Sequence, residues 1–156
     1  MKPEASLGQI LRKYGKTIAV AESCTGGLIS SKITDVSGSS GYFRGGVIAY
    51  SNTIKRRLLD VSAISLKRYG AVSKEVVIEM AKGVKSLAKT DIGLGITGIA
   101  GPTGGTKNKP VGLVYIGLVT NKKRMVKEFC FKGPRIKIKS LAAQAALNLL
   151  CAHLSR

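Results

Sequence analysis

Tryptophan is absent from this sequence, and histidine occurs once, as His153 close to the C-terminal end. With no imidazole elsewhere, hydrolases of the Ser-His-Asp and Cys-His types have no general base to draw on. The 3 cysteines, Cys24, Cys130 and Cys151, are odd in number and widely scattered, so they build neither a disulfide framework nor a CxxC zinc site. Acids are scarce, 8 against 26 lysines and arginines. Only Glu75 and Glu79 stand close together, and they read as surface charge near a helix N-terminus rather than a two-carboxylate site. Acid-base work is left to lysine, tyrosine or a lone carboxylate. No apolar run reaches the roughly 18 residues of a membrane span, and Met1-Lys2-Pro3-Glu4 lacks the apolar centre of a secretory signal. Together with unpaired thiols, this points to a cytoplasmic protein with no membrane partner, no metal and no cofactor.

What the chain does have is a hydrophobic fraction of 44% over 156 residues, enough for one domain (1–156) with a real core. No repeat, linker or second domain is visible. The net charge of +18 attracts anions at long range without choosing among them. Cations are densest at Lys55-Arg56-Arg57 and between Lys122 and Lys139. Aromatics are few and no base-stacking motif is present, so the basic face is expected to be solvated and to have no specific nucleic-acid partner.

Apolar periodicity predicts a helix over 5–14, stopped by Gly15, then a strand over 17–21 and a helix over 27–36. Further on, the pattern gives a strand at 46–50 and short helices at 52–59 and 62–69. A long amphipathic helix capped by Ser73 and a strand over 92–97 follow. A long Gly-rich loop (98–110), a hairpin (111–120 and 124–131) and a closing helix (136–154) complete the chain. Strands alternating with helices, then one hairpin, imply a three-layer α/β/α domain with a mixed, mostly parallel sheet.

The stretch Ala21-Glu22-Ser23-Cys24-Thr25-Gly26-Gly27 lies where the first strand gives way to a helix. A serine there is either a helix cap or a nucleophile beside N–H groups that stabilise an oxyanion. On position alone, capping is the more economical reading. Cys24 is a rival nucleophile, but strand alternation turns only one of Ser23 and Cys24 toward a given side. In Tyr50-Ser51-Asn52-Thr53-Ile54-Lys55, a cap at Ser51 or Asn52 puts Lys55 in the first helical turn. The helix dipole, Arg56 and Arg57 then favour its neutral form, and Tyr50 could relay its proton. Against this stands the plainer reading of Lys55 as one surface lysine among many. Gly93-Leu94-Gly95-Ile96-Thr97-Gly98 fits GxGxxG but lies within a strand instead of opening a helix, so it carries little weight. Gly104-Gly105-Thr106-Lys107 matches a Walker A loop only loosely.

Several runs together, AESCTGG (21–27), ITDVSGSSGYFRGGVIAYSNTIK (33–55), GAVS (70–73), GITGIAGPTGG (95–105), KPVG (109–112) and FKGPR (131–135), closely resemble the C-terminal domain of the CinA proteins. That family includes stand-alone nicotinamide-nucleotide amidohydrolases. The resemblance spans nearly the whole chain, without the N-terminal nucleotide-hydrolysing domain of longer CinA proteins. It implies hydrolysis of the carboxamide of nicotinamide mononucleotide by a Ser23, Tyr50 and Lys55 site, in pyridine-nucleotide recycling. It further implies that Thr25, Gly26, Gly27, Thr97, Gly98, Gly101 and Arg135 contact a small nucleotide substrate. Where many relatives carry a second arginine four residues after Arg135, this chain has Lys139, which neutralises a phosphate but cannot fork onto it. The alternative expectation is a non-catalytic nucleotide or nucleic-acid binding module. A homodimer is expected only as the commonest oligomer.

Overall fold

The computed structural model describes residues 1–155. Its first strand, β1 (Ile18–Glu22), is buried at every position, as expected of a central strand covered on both faces. Alternation sends Ile18 and Val20 into one core and Ala19 and Ala21 into another. The first core is closed by Leu7 and Leu11 of α1 (Pro3–Tyr14), Ile29 and Ile33 of α2 (Leu28–Thr34), and Ala142, Ala146 and Leu150 of α6 (Arg135–Leu154). The second is closed by Leu59 of α3 (Asn52–Leu59) and by Val76, Met80 and Val84 of α5 (Lys74–Ala88). The short α4 (Ala63–Tyr69) lies in sequence between these two helices. Helices on both faces of one sheet give the expected three layers.

The sheet has the order β2-β1-β3-β4-β5. β2 (Phe43–Ile48) and β3 (Ile92–Gly98) flank β1 in parallel, β4 (Leu113–Thr120) pairs antiparallel with β3, and β5 (Arg124–Cys130) pairs antiparallel with β4, so β4 alone runs against the other four strands. Small residues let α5 approach the sheet closely. A Cβ added at Gly93 would stand 2.1 Å from the Ala81 carbonyl oxygen, and one at Gly95 would stand 2.6 Å from that of Val77. The GxGxxG match is therefore the packing surface for α5, inside β3, and not a nucleotide loop.

Most elements lie within two residues of their expected positions. The exception is β2, expected at 46–50 and found at Phe43–Ile48. Gly45 and Gly46 interrupt its apolar pattern, yet it pairs with β1 from Phe43 opposite Ile18. A Cβ at Gly46 would lie 2.3 Å from Ser30 Oγ, so the missing side chain makes room for α2. Among the described residues, no helix is long and apolar enough to cross a membrane. The parallel strands β1 and β3 end at the same edge, and open α/β sheets bind ligands beyond the carboxyl ends of their strands.

Candidate active site

Ser23 is the first residue past β1 and still belongs to the sheet, since its N–H donates to the Ile96 carbonyl at 3.1 Å. Opposite it, Ser51 caps α3 by accepting the Ile54 N–H. This fixes the helix so that Lys55, only 1% exposed, runs back under the end of β1. Lys55 Nζ donates to the Ala49 carbonyl at 2.9 Å and the Tyr50 carbonyl at 3.3 Å, and lies 3.1 Å from Ser23 Oγ. Among the described residues it forms no ion pair. Burial pulls its pKa below the usual 10.5, and the nearby Cys24 acts in the opposite sense. The cause differs from the sequence expectation. Arg56 and Arg57 are exposed and do not contribute, and desolvation supplies the shift.

These three oxygens match the three N–H groups of the ammonium; once Lys55 has lost a proton, two N–H groups still serve the carbonyls and the lone pair faces the serine hydroxyl, whose proton it can then accept. Ser23 itself is only 8% exposed.

Glu22, next to Ser23 on the opposite face of β1, is a buried carboxylate that sequence reasoning passed over. Its Oε1 accepts the Thr25 hydroxyl at 2.7 Å and the Ile29 N–H at 2.9 Å. Its Oε2 accepts the Ser30 N–H at 2.9 Å and the Ser30 hydroxyl at 2.7 Å. The start of α2 is thus neutralised by the protein's own carboxylate. The signal was a lone acid ending a fully apolar strand just before Ser, Thr and two glycines. As a result the Thr25 side chain is committed to Glu22, and the Gly26 N–H donates to the Ser23 carbonyl at 3.1 Å. Gly26 and Gly27 adopt φ of 61° and 104°, conformations that glycine alone takes without strain. Their contribution is the shape of the turn.

Other expected site residues sit at this edge in different roles. Tyr50 is 60% exposed, and its hydroxyl accepts from Arg135 Nη2 at 2.9 Å. Its backbone carbonyl, not its ring, reaches Lys55, so the relay from the Tyr50 hydroxyl to Lys55 is not formed here. Arg135 Nη1 donates to the Gly101 carbonyl at 2.7 Å, and the guanidinium so ties the glycine loop to the end of β2. Thr97 is buried and donates to the Ala71 carbonyl at 2.9 Å. Gly98 packs against Leu113, where a Cβ would lie 2.7 Å from a carbonyl oxygen. Both are therefore architectural in this state. Beside the turn is a depression of about 570 Å³ lined by Gly26, Gly27, Ser31, Lys32, Ile136 and Lys139. Its two lysines give it the charge to receive an anion.

Cys24 faces the core shared with α2 and α6. Burial pushes its thiol up to about 12, so it holds its proton at neutral pH and is a poor nucleophile. Among the described residues no cluster of His, Cys, Asp and Glu could hold a metal ion.

A three-layer α/β domain with a buried serine-lysine pair beyond the carboxyl end of its central strand is the class of protein that this architecture defines. The chain belongs to the CinA C-terminal domain family, whose pattern it matches over residues 1–154. It is 56% identical over 141 residues to a CinA-like protein of Kosmotoga olearia, covering 90% of this chain and 34% of the relative. It is 57% identical over 144 residues to one of Syntrophomonas wolfei, covering 92% and 35%. The chain therefore spans about a third of the length of these curated relatives. Among solved structures, the competence/damage inducible protein CihA from Agrobacterium tumefaciens superposes with a TM-score of 0.92 at 33% identity, covering 99% of this chain and 96% of that one. A CinA superfamily protein from Klebsiella pneumoniae gives 0.95 at 29%, covering 98% and 96%.

Proposed function

We propose that this domain is an amidohydrolase that converts nicotinamide mononucleotide and water to nicotinate mononucleotide and ammonia. The observation that carries the reading is the buried Lys55, without a counter-ion, hydrogen-bonded to Ser23. In the proposed reaction Lys55 Nζ takes the Ser23 proton as Oγ attacks the carboxamide carbon. The tetrahedral oxyanion is assigned to N–H groups of the turn after Ser23 other than that of Gly26, which already donates to the Ser23 carbonyl. Lys55 then returns the proton to the departing nitrogen, the C–N bond breaks and ammonia leaves. Water, deprotonated by the same amine, attacks the resulting ester and frees the carboxylate and Ser23.

The substrate assignment rests on the family resemblance and on the cations beside the turn. Because Glu22 already occupies the start of α2, the nucleotide phosphate is assigned to the side chains of Arg135 and Lys139. Tyr50, held by Arg135, is assigned to orienting the substrate beside these side chains. Ammonia release from nicotinamide mononucleotide tests the proposal. Wild-type protein releases ammonia with turnover, and Ser23→Ala, folded by thermal unfolding, loses more than about a thousandfold. No release by wild type, or full release by Ser23→Ala, refutes it.

A further inference from the structure

At the far end of the sheet from Ser23, five cations converge on one hollow of about 450 Å³. Lys82 and Lys85 come from the last turns of α5, Lys122 and Lys123 from the turn between β4 and β5, and Arg124 from the first position of β5. Ser86, Thr120 and Asn121 complete the polar lining, and no acid lines the hollow. None of the five is ion-paired among the described residues, where the only salt bridges are Lys16–Asp91 and Lys74–Glu128. Lys85 Nζ is held by a neutral partner, Asn121 Oδ1, at 2.7 Å. The Lys122 and Lys123 N–H groups both bind Thr120 Oγ1, at 3.2 and 3.1 Å. The hairpin turn is thereby braced with its side chains outward. Acids stand nearby but outside the hollow: Asp60 and Glu79 line a neighbouring depression together with Lys82 and Ser86, and Asp91 has its carboxyl held low chiefly by the Thr17 N–H, with Lys16 and Lys85 contributing less.

Five like charges around a hollow that no acid lines repel one another, and an anionic partner reduces that repulsion. Hydroxyl and amide groups between lysines and an arginine are the donors that contact phosphate and sugar in protein–nucleic acid interfaces. The hollow has no aromatic lining, whereas single strands are held by stacking on aromatic rings. We infer that the hollow formed by the end of α5 and the β4–β5 turn binds the phosphate backbone of double-stranded nucleic acid, independently of its sequence. It is a second site, separated from Ser23 by about 20 Å, the length of a strand such as β3 at roughly 3.3 Å per residue. It does not depend on the hydrolase reading.

The test is the salt dependence of binding to a fluorescent duplex of arbitrary sequence. If all five cations meet phosphates, the logarithmic slope against salt is about −4.5, so affinity falls about 500-fold between about 50 and 200 mM salt. Lys122→Ala, Lys123→Ala and Arg124→Ala together should reduce the slope to about −1.8, a fall of about 12-fold over the same range. A control triple, Lys2→Ala, Arg56→Ala and Lys67→Ala, removes the same charge from exposed positions elsewhere and should leave the slope near wild type. Equal weakening by both triples would show diffuse attraction by the +18 charge and overturn the inference. So would tighter binding to single strands, or to vesicles containing anionic lipid, than to the duplex. Thermal unfolding confirms that each variant is folded, and ammonia release by the hairpin triple should match wild type.

Discussion

Two buried ionisable groups meet at the tip of β1 from opposite faces, and their surroundings differ in kind. Glu22 receives four hydrogen bonds, two on each oxygen, from the start of α2. Every acceptor position is filled, and the helix end supplies the compensating charge. Lys55 has two carbonyl partners and a serine hydroxyl but no compensating charge among the described residues. Glu22 has its charge compensated by the helix start, whereas Lys55 is buried among neutral acceptors, and that desolvation favours loss of its proton. The difference lies in whether compensating charge accompanies burial.

Replacing Lys55 breaks the comparison most severely. Lys55→Met should lower ammonia release by roughly a hundredfold to ten-thousandfold, the usual contribution of a general base. The wild-type rate should rise with pH as Lys55 deprotonates, along a limb whose midpoint lies below 10.5. Stability should follow the same group. Between its lowered folded pKa and 10.5, the unfolded chain binds the extra proton, so folding becomes more favourable as pH rises through that interval. Denaturant titrations of wild type and Lys55→Met at several pH values should show the difference moving in favour of wild type toward pH 10.5. A constant difference would mean that Lys55 keeps its ordinary affinity for protons.

Glu22→Gln sharpens the other half. The amide matches the size of the carboxylate but presents N–H toward the Ser30 N–H, or else toward Thr25 and Ile29. It should cost about 1 to 3 kcal/mol in urea unfolding, as expected for a buried donor left without its acceptor. Its pH-rate midpoint should stay at the wild-type value, because Lys55 is untouched. A moved midpoint would tie Glu22 to the titration of Lys55 and erase the distinction drawn between them. The smallest effect is expected for Cys24→Ala. Ammonia release should remain near wild type, since the thiol faces the core and titrates at about 12. Loss of activity comparable to that of Lys55→Met would make Cys24 the nucleophile.

Much of this arrangement could be read from the sequence, for reasons that differ by residue. The strand ending at Ser23, the cap at Ser51 and the helix that carries Lys55 all follow from local periodicity and capping. Alternation alone put Ser23 and Cys24 on opposite faces. What periodicity could not carry was long-range packing. The shift of β2 depends on Ser30 pressing against Gly46 from another element. The closeness of Lys55 to Ser23 depends on how α3 crosses the end of β1, and the burial behind its lowered pKa is a property of the assembled layers. Glu22 was missed because its partners, Ile29 and Ser30, are backbone groups, which leave no motif of side chains. Arg135 was singled out by resemblance, yet its grip on Tyr50 and Gly101 spans 85 and 34 residues, distances at which no local pattern operates.

The most direct test of the central claim is to stop the reaction with nicotinamide mononucleotide in mid-turnover and map the acylated residue by mass spectrometry. The account predicts the nicotinate mononucleotide ester on Ser23, absent from Ser23→Ala. An acyl group on Cys24, or sustained turnover with no acylated residue at all, would contradict it.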